Sequence, residues 1–310
     1  MSTLFVSHPC FVRHQTPAGH PERPDRIRVV ERILEHERFQ PLAREPSPVA
    51  PTEALLLAHP EAYVRAIEDA APQEGLVQLD SDTMMSPGTL EAALRGVGGA
   101  MQAVDEVMTR KVANAFSASR PPGHHAERAK AMGFCFFNNA AIAARHAQKA
   151  YGAERVAIVD WDVHHGNGTQ DIFWNDSSVM YCSTHEMPLY PGTGAANERG
   201  EHNTIVNVPL RAGDGSLEFR EAFEVGVLPR IEAYQPDLII ISAGFDAHVR
   251  DPLANLNLVE ADYGWATAQL MDLADRYSGG RLVSLLEGGY DLEGLARSVA
   301  AHVMTLMRGS

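Results

Sequence analysis

The chain has 310 residues, enough for one large domain or two small ones, and its 45% hydrophobic content supports a sizeable core. Its 26 basic and 40 acidic residues give a net charge of −14 without a lysine- or arginine-rich block, which argues against a nucleic-acid-binding face. No run approaches the ~20 apolar residues of a membrane helix, and Cys10, Cys135 and Cys182 are too few and too scattered for a disulfide scaffold or a CxxC metal clip.

In chain order, residues 1–10 lack the charged and apolar regions of a signal peptide, so a cytoplasmic location is expected. A short strand is predicted over 4–7. The proline-rich segment 16–26 carries His20, Glu22, Arg23, Asp25 and Arg26 and reads as a stiff loop, either a pocket wall or a solvated turn. A helix follows over 27–38, with Ile27, Val30, Ile33 and Leu34 on one face. Residues 45–52 read as a linker, Thr52 as the N-cap of a further helix, and Pro60 as the start of the next. Segment 79–88 is a polar loop in which Asp80 and Asp82 either face a substrate or cap and solvate the turn. Residues 90–109, rich in alanine and glycine, predict a long, closely packed helix.

Five strand-then-loop units come next. The strands are predicted over 112–117, 156–159, 179–182, 237–242 and 282–286, with helices over 138–150, 218–233, 260–277 and 292–307. Such alternation predicts a parallel α/β sheet covered on both faces, within one domain spanning residues 1–310. Ligand sites of these sheets lie beyond the C-terminal strand ends. Six of the 14 histidines, His124, His125, His164, His165, His185 and His248, fall there.

The densest stretch is Asp160-Trp-Asp-Val-His-His-Gly-Asn-Gly168, directly after a strand with a β-branched core. Period-two geometry turns Asp160, Asp162 and His164 one way and Trp161, Val163 and His165 the other. Buried carboxylates need compensation. A metal ion supplies it; a purely structural hydrogen-bond cluster is the alternative. Asp162, His164 and Asp246 make a ligand set suited to catalytic Zn²⁺, with Fe²⁺ or Mn²⁺ open. His124 and His125, expected to point in different directions, suit a general base and its neighbour, with Asp160 and Asn167 as partners; two capped loop histidines are the plainer reading. Tyr290, after Gly288-Gly289, can aim a phenol at an oxyanion or simply pack.

Six ordered motifs resemble the zinc-dependent histone deacetylase superfamily, in the style of class II enzymes and bacterial histone-deacetylase-like or acetylpolyamine amidohydrolases. They are Arg120-Pro-Pro-Gly-His-His, Gly133-Phe-Cys-Phe-Phe-Asn-Asn, Asp160-Trp-Asp-Val-His-His-Gly-Asn-Gly-Thr, Tyr190-Pro-Gly-Thr-Gly, Ser242-Ala-Gly-Phe-Asp-Ala-His and Glu287-Gly-Gly-Tyr. The resemblance implies an arginase–deacetylase fold, an eight-stranded parallel sheet between helices. It implies Asp162, His164 and Asp246 as zinc ligands, His125 as general base, His124 as its electrostatic partner and Tyr290 as the donor to the scissile carbonyl. Asp160 would pair with His124 and Asn167 with His125; class I enzymes usually carry aspartate at the latter position. Phe134 and Tyr190 resemble the aromatic pair of an acyl-lysine tunnel and Leu253 its rim; Gly133, Gly288 and Gly289 belong to the same substrate path, and Arg26 matches an arginine near the product-release end. A structural K⁺ would take backbone oxygens of Asp160, Asp162 and His164 with Ser183 and Thr184.

The implied activity is zinc-dependent hydrolysis of acetyl-lysine side chains or similar small amides, the partner being a small-molecule or peptide acyl-amine substrate. Acetylpolyamine hydrolysis and a non-catalytic acyl-lysine binder are the alternatives. An arginase-like ureohydrolase would need a second metal and more carboxylates. The apolar Leu253 tilts the reading toward acyl-lysine. The sequence leaves the oligomeric state open, homo-oligomers included.

Overall fold

The computed structural model describes residues 2–308. Eight strands share one sheet: β1 (Thr3–Ser7), β2 (Ala43–Pro46), β3 (Asn114–Ser117), β4 (Val156–Asp160), β5 (Val179–Glu186), β6 (Ile205–Leu210), β7 (Leu238–Ala243) and β8 (Leu282–Leu286). Every pairing is parallel, in the order β2-β1-β3-β8-β7-β4-β5-β6. All C-terminal strand ends therefore open on one side.

Strand composition explains the layering. Val156 and Ile158 of β4, with Leu238 and Ile240 of β7, pack on one face against helices Thr89–Met108 and Asn139–Tyr151. Ala157, Val159, Ile239 and Ile241 point to the other face, covered by helices Asp25–Leu34, Glu260–Tyr277 and Leu292–Arg308. Both faces are buried, so these strands read as continuous apolar runs. Helix Asn139–Tyr151 starts where Asn138 accepts a hydrogen bond from the Ala141 amide, and it stops at left-handed Gly152. No helix among the described residues is long and apolar enough to cross a membrane.

Several local expectations change. The supposed linker over 45–52 begins inside β2, and β6, with β-branched Ile205, Val206 and Val208, lies outside the predicted strands. Both are edge strands, where Pro46 and Pro209 are tolerated because one side of the ladder is unpaired. Polar segment 79–88 holds half of a small hairpin, Val77–Gln78 paired with Met84–Met85. The first helix ends at Leu34, short of residue 38, and a separate 3-10 turn covers Glu37–Phe39. Thr52 is the first residue of a one-turn helix and caps nothing; Pro51 holds the cap position. Strand β5 continues to Glu186, so Ser183, Thr184 and His185 lie within it. Residues 167–173, which follow Gly166 and include Gly168, form a helix, Asn167–Phe173. The helix predicted over 218–233 spans Ser216–Glu221 and Leu228–Tyr234 with a π-turn at Ala222–Val227 between them. Pro229 supplies the reason, since it has no N–H to continue the ladder.

Candidate active site and metal centre

The strand ends of β4 and β7 deliver three donors to one point. The ligand atoms of Asp162, His164 and Asp246 all lie within 4.8 Å of one another, and all three residues are buried. His164 Nδ1 stands 3.2 Å from Asp162 Oδ1 and 3.0 Å from Asp246 Oδ2. Backbone amides fix the carboxylates: Val163 N donates to Asp246 Oδ1 at 2.8 Å and Gly288 N to Asp162 Oδ2 at 2.8 Å. Position 288 must be glycine, because a Cβ there would strike both carboxylates. Burial, then the Asp162 charge, pushes the Asp246 carboxyl up. Burial opposes protonation of His164, but the two carboxylates outweigh it and raise its imidazole. Two buried carboxylates around one imidazole fit a divalent cation: the donors match Zn²⁺, and the charge is what the site lacks.

Beside the triad, the His124 and His125 rings lie 4.1 Å apart and tilted by 43°. The rings are neighbours, yet each turns to its own partner, His124 to Asp160 and His125 to Asn167, and His125 lines the cavity. Backbone Gly168 N donates to His124 O at 3.0 Å. His124 Nδ1 donates to Asp160 Oδ2 at 2.9 Å, and Tyr181 Oη donates to the same oxygen at 2.9 Å. Burial opposes a charge on His124, yet Asp162 and Asp160 outweigh it and hold the imidazolium. His125 goes the other way: burial, then His124 and His164, depress it well below the usual imidazole range. His125 Nδ1 is 2.8 Å from Asn167 Oδ1, and Asn167 Nδ2 donates to Glu127 Oε1 at 2.7 Å. That second bond orients the amide, so the proton of neutral His125 sits on Nδ1 and Nε2 is left as a base.

A cavity of about 210 Å³ opens above these groups, lined by Asp82, His125, Gly133, Phe134, His164, Leu189, Tyr190, Leu253 and Tyr290. Gly133 has φ 57°, and a side chain there would run into the His125 ring. Phe134 meets Tyr290 edge-on at 5.9 Å, and Tyr190 meets His125 at 5.3 Å. Burial, with Arg26 opposing, keeps the Tyr290 phenol protonated.

Other expected residues stand behind the wall. Arg26 is buried beneath Tyr290, its guanidinium 4.8 Å from the ring centroid, and it donates to the carbonyls of Gly289 and Glu287 at 2.6 and 2.5 Å. Gly288 and Gly289 thus support the pocket without lining it. Ser183 pairs with Asp160 across the ladder, and Thr184 Oγ1 is buried without a hydrogen-bond partner among the described residues. His165, His185 and His248 lie outside the cavity; His165 bonds Thr193 and His185 bonds the Gly194 carbonyl, anchoring the loop that carries Tyr190.

Sequence reasoning gave no role to Glu287, Tyr181, Glu127 or Leu189; of the two readings it left open for Asp82, the structure puts that residue in the cavity wall. Glu287, fully buried, accepts from the amides of Gly123 and His124 at 2.7 and 3.1 Å and so seats the histidine pair. Its signal was present: a carboxylate closing an apolar strand, as at Asp160. Tyr181 and Leu189 sit in apolar surroundings and give no such sign.

Several proteins similar to this chain carry deacetylase names. A family model described as histone deacetylase domain matches residues 20–306. A probable deacetylase of Archaeoglobus fulgidus is 39% identical over 100% of this chain and 87% of its own. The histone deacetylase-like amidohydrolase of Pseudomonas aeruginosa is 40% identical over 90% of this chain and 75% of its own. The crystal structure of the HDA15 HD domain superposes with a TM-score of 0.94 at 38% identity, covering 99% of this chain and 89% of that one.

Removing one donor tests the metal centre. Asp246→Ala should lose stoichiometric zinc, measured by elemental analysis, while circular dichroism stays unchanged. A zinc-replete variant would remove Asp246 from the ligand set.

Proposed function

The chain belongs to the histone deacetylase family, and from that premise we propose that it is a zinc-dependent amidohydrolase releasing acetate from acetyl-lysine side chains or similar small amides. The convergence of Asp162, His164 and Asp246 at the base of a narrow cavity carries this reading. Bound to those three side chains, Zn²⁺ would supply Lewis acidity to the acyl oxygen and lower the pKa of water.

The chain's own groups do the rest. Leu189, Tyr190, Phe134 and Leu253 hold the alkyl part of the substrate and keep bulk water out. His125 Nε2 takes the proton from the attacking water. The phenol of Tyr290 stabilises the negative charge that develops on the carbonyl oxygen, and the imidazolium of His124 is the electrostatic partner of His125. His125 then returns its proton to the amine nitrogen, the C–N bond breaks, and acetate and free amine leave.

A K⁺ ion held by backbone oxygens of Asp160, Asp162 and His164 with Ser183 and Thr184 is part of the same reading; the partnerless Thr184 Oγ1 supports it. Acetylpolyamine hydrolysis remains a second reading. Asp82 favours it, as the one carboxylate in the cavity wall besides the metal centre and a natural partner for a cationic amine.

A substrate panel with zinc quantified decides the matter. We expect chelator-sensitive hydrolysis, with kcat/KM on acetyl-lysine peptides exceeding that on N-acetylputrescine. A roughly hundredfold preference for the polyamine would reverse the order, and binding without hydrolysis would make the protein an acyl-lysine reader. Tyr290→Phe should lower kcat by roughly two to three decades with zinc retained; unchanged turnover would take the phenol out of the mechanism. The pH profile has a set sign. A base acts unprotonated, so activity is lost as pH falls through its pKa, and the depressed His125 places the acid limb of kcat/KM below pH ~6.5. An acid limb centred above pH ~7 would assign the base elsewhere.

A further inference from the structure

Beyond β8 the chain leaves regular structure from Glu287 to Asp291, with Gly289 at φ 125°. No ladder holds this segment, yet it carries Tyr290. Its early part is pinned from below: Arg26 takes the carbonyls of Glu287 and Gly289, and Phe245 N donates to Gly288 O at 3.0 Å. The two backbone amides of its later part go to one side chain. Asp251 Oδ2 accepts from the Tyr290 amide at 2.7 Å and from the Asp291 amide at 3.3 Å. The other oxygen, Oδ1, accepts from the Leu253 amide at 3.0 Å.

We propose that Asp251 is a positioning residue for the deacylation, locking the Tyr290 segment and the Leu253 rim into one arrangement; this rests on the role given to Tyr290 above. Asp251 is 7% exposed, so its bonds are shielded from water. A carboxylate alone among side chains of this size accepts on both oxygens. An asparagine in its place must turn an NH₂ toward one of the amides, leaving two donors face to face. The phenol would then lose its fixed backbone, and a shift of about 1 Å at a reacting group costs on the order of a hundredfold. Arg250 also bonds Asp291, at 2.9 Å, but that pair is at the surface and weakly coupled.

A double-mutant cycle tests the proposal, using the zinc-loaded enzyme, an acetyl-lysine peptide, and wild type, Asp251→Asn, Tyr290→Phe and the double variant. Asp251→Asn should lower kcat roughly 10- to 100-fold with zinc retained. In the Tyr290→Phe background the same change should cost less than roughly threefold, because the group it positions is gone. Equal losses in both backgrounds overturn the proposal while leaving Tyr290 its role. A fully active Tyr290→Phe overturns both. If Asp251→Asn does not fold, hydrogen exchange on the wild type decides: the amides of Tyr290 and Asp291 should exchange slowly although they lie outside helix and strand, and loop-like exchange of both overturns the proposal.

Discussion

Uncompensated negative charge beneath the cavity is the constraint that organises this protein. Asp160, Asp162, Asp246 and Glu287 are all fully buried at the ends of β4, β7 and β8. Withdrawing each carboxylate from water costs on the order of several kcal/mol. No lysine or arginine pairs with any of the four side chains among the described residues; imidazoles, Tyr181 and backbone amides do instead. One positive charge is supplied by His124. A divalent cation gripped by Asp162, His164 and Asp246 would offset two charges more. The opposite charge states of the two adjacent histidines follow from the same field: His124 faces the carboxylates, and His125 faces a neutral amide.

A second charged cluster lies on the underside. Glu22, fully buried, accepts from Arg26 at 3.0 Å, from Arg120 at 2.5 and 2.7 Å, and stands 3.2 Å from His14. Two guanidiniums share one carboxylate, so this layer is net positive. Tyr290 is sandwiched between it and the acidic metal centre. The proline-rich segment 16–26 is a solvated turn at Ala18 and Gly19, yet it also buries Glu22 and Arg26. It delivers the charges that brace the wall from behind.

Much of this was legible in the chain. The six predicted strands announced themselves by short apolar runs, β-branched most clearly in β4 and β7, and the metal-binding and proton-transfer groups lay just past them. Edge strand β2 was not readable, because a largely exposed strand ending in proline carries no apolar run; β6 did carry a signal that sequence reasoning passed over, with Val206, Val208 and Leu210 alternating with Asn207 and Pro209. The pairing of Asp162 and His164 followed from their spacing; Asp246, 82 residues beyond His164, could be matched to them only through the shared position after a buried strand. Glu127 and Asp251 left no sign, since their effect depends on which backbone or amide group each meets, and that is set by loops whose paths no local pattern encodes.

Strand order has a consequence for how the molecule comes into being. β8 is the last strand synthesised, yet it inserts between β3 and β7, near the middle of the sheet. Until residues 282–286 emerge, the halves on either side have no neighbour to join them, and two apolar edges lie bare. The phenol follows only four residues after that strand. A ribosome-bound chain truncated before it would hold every metal ligand and no closed sheet, and such late, long-range closure favours slow maturation under chaperone protection.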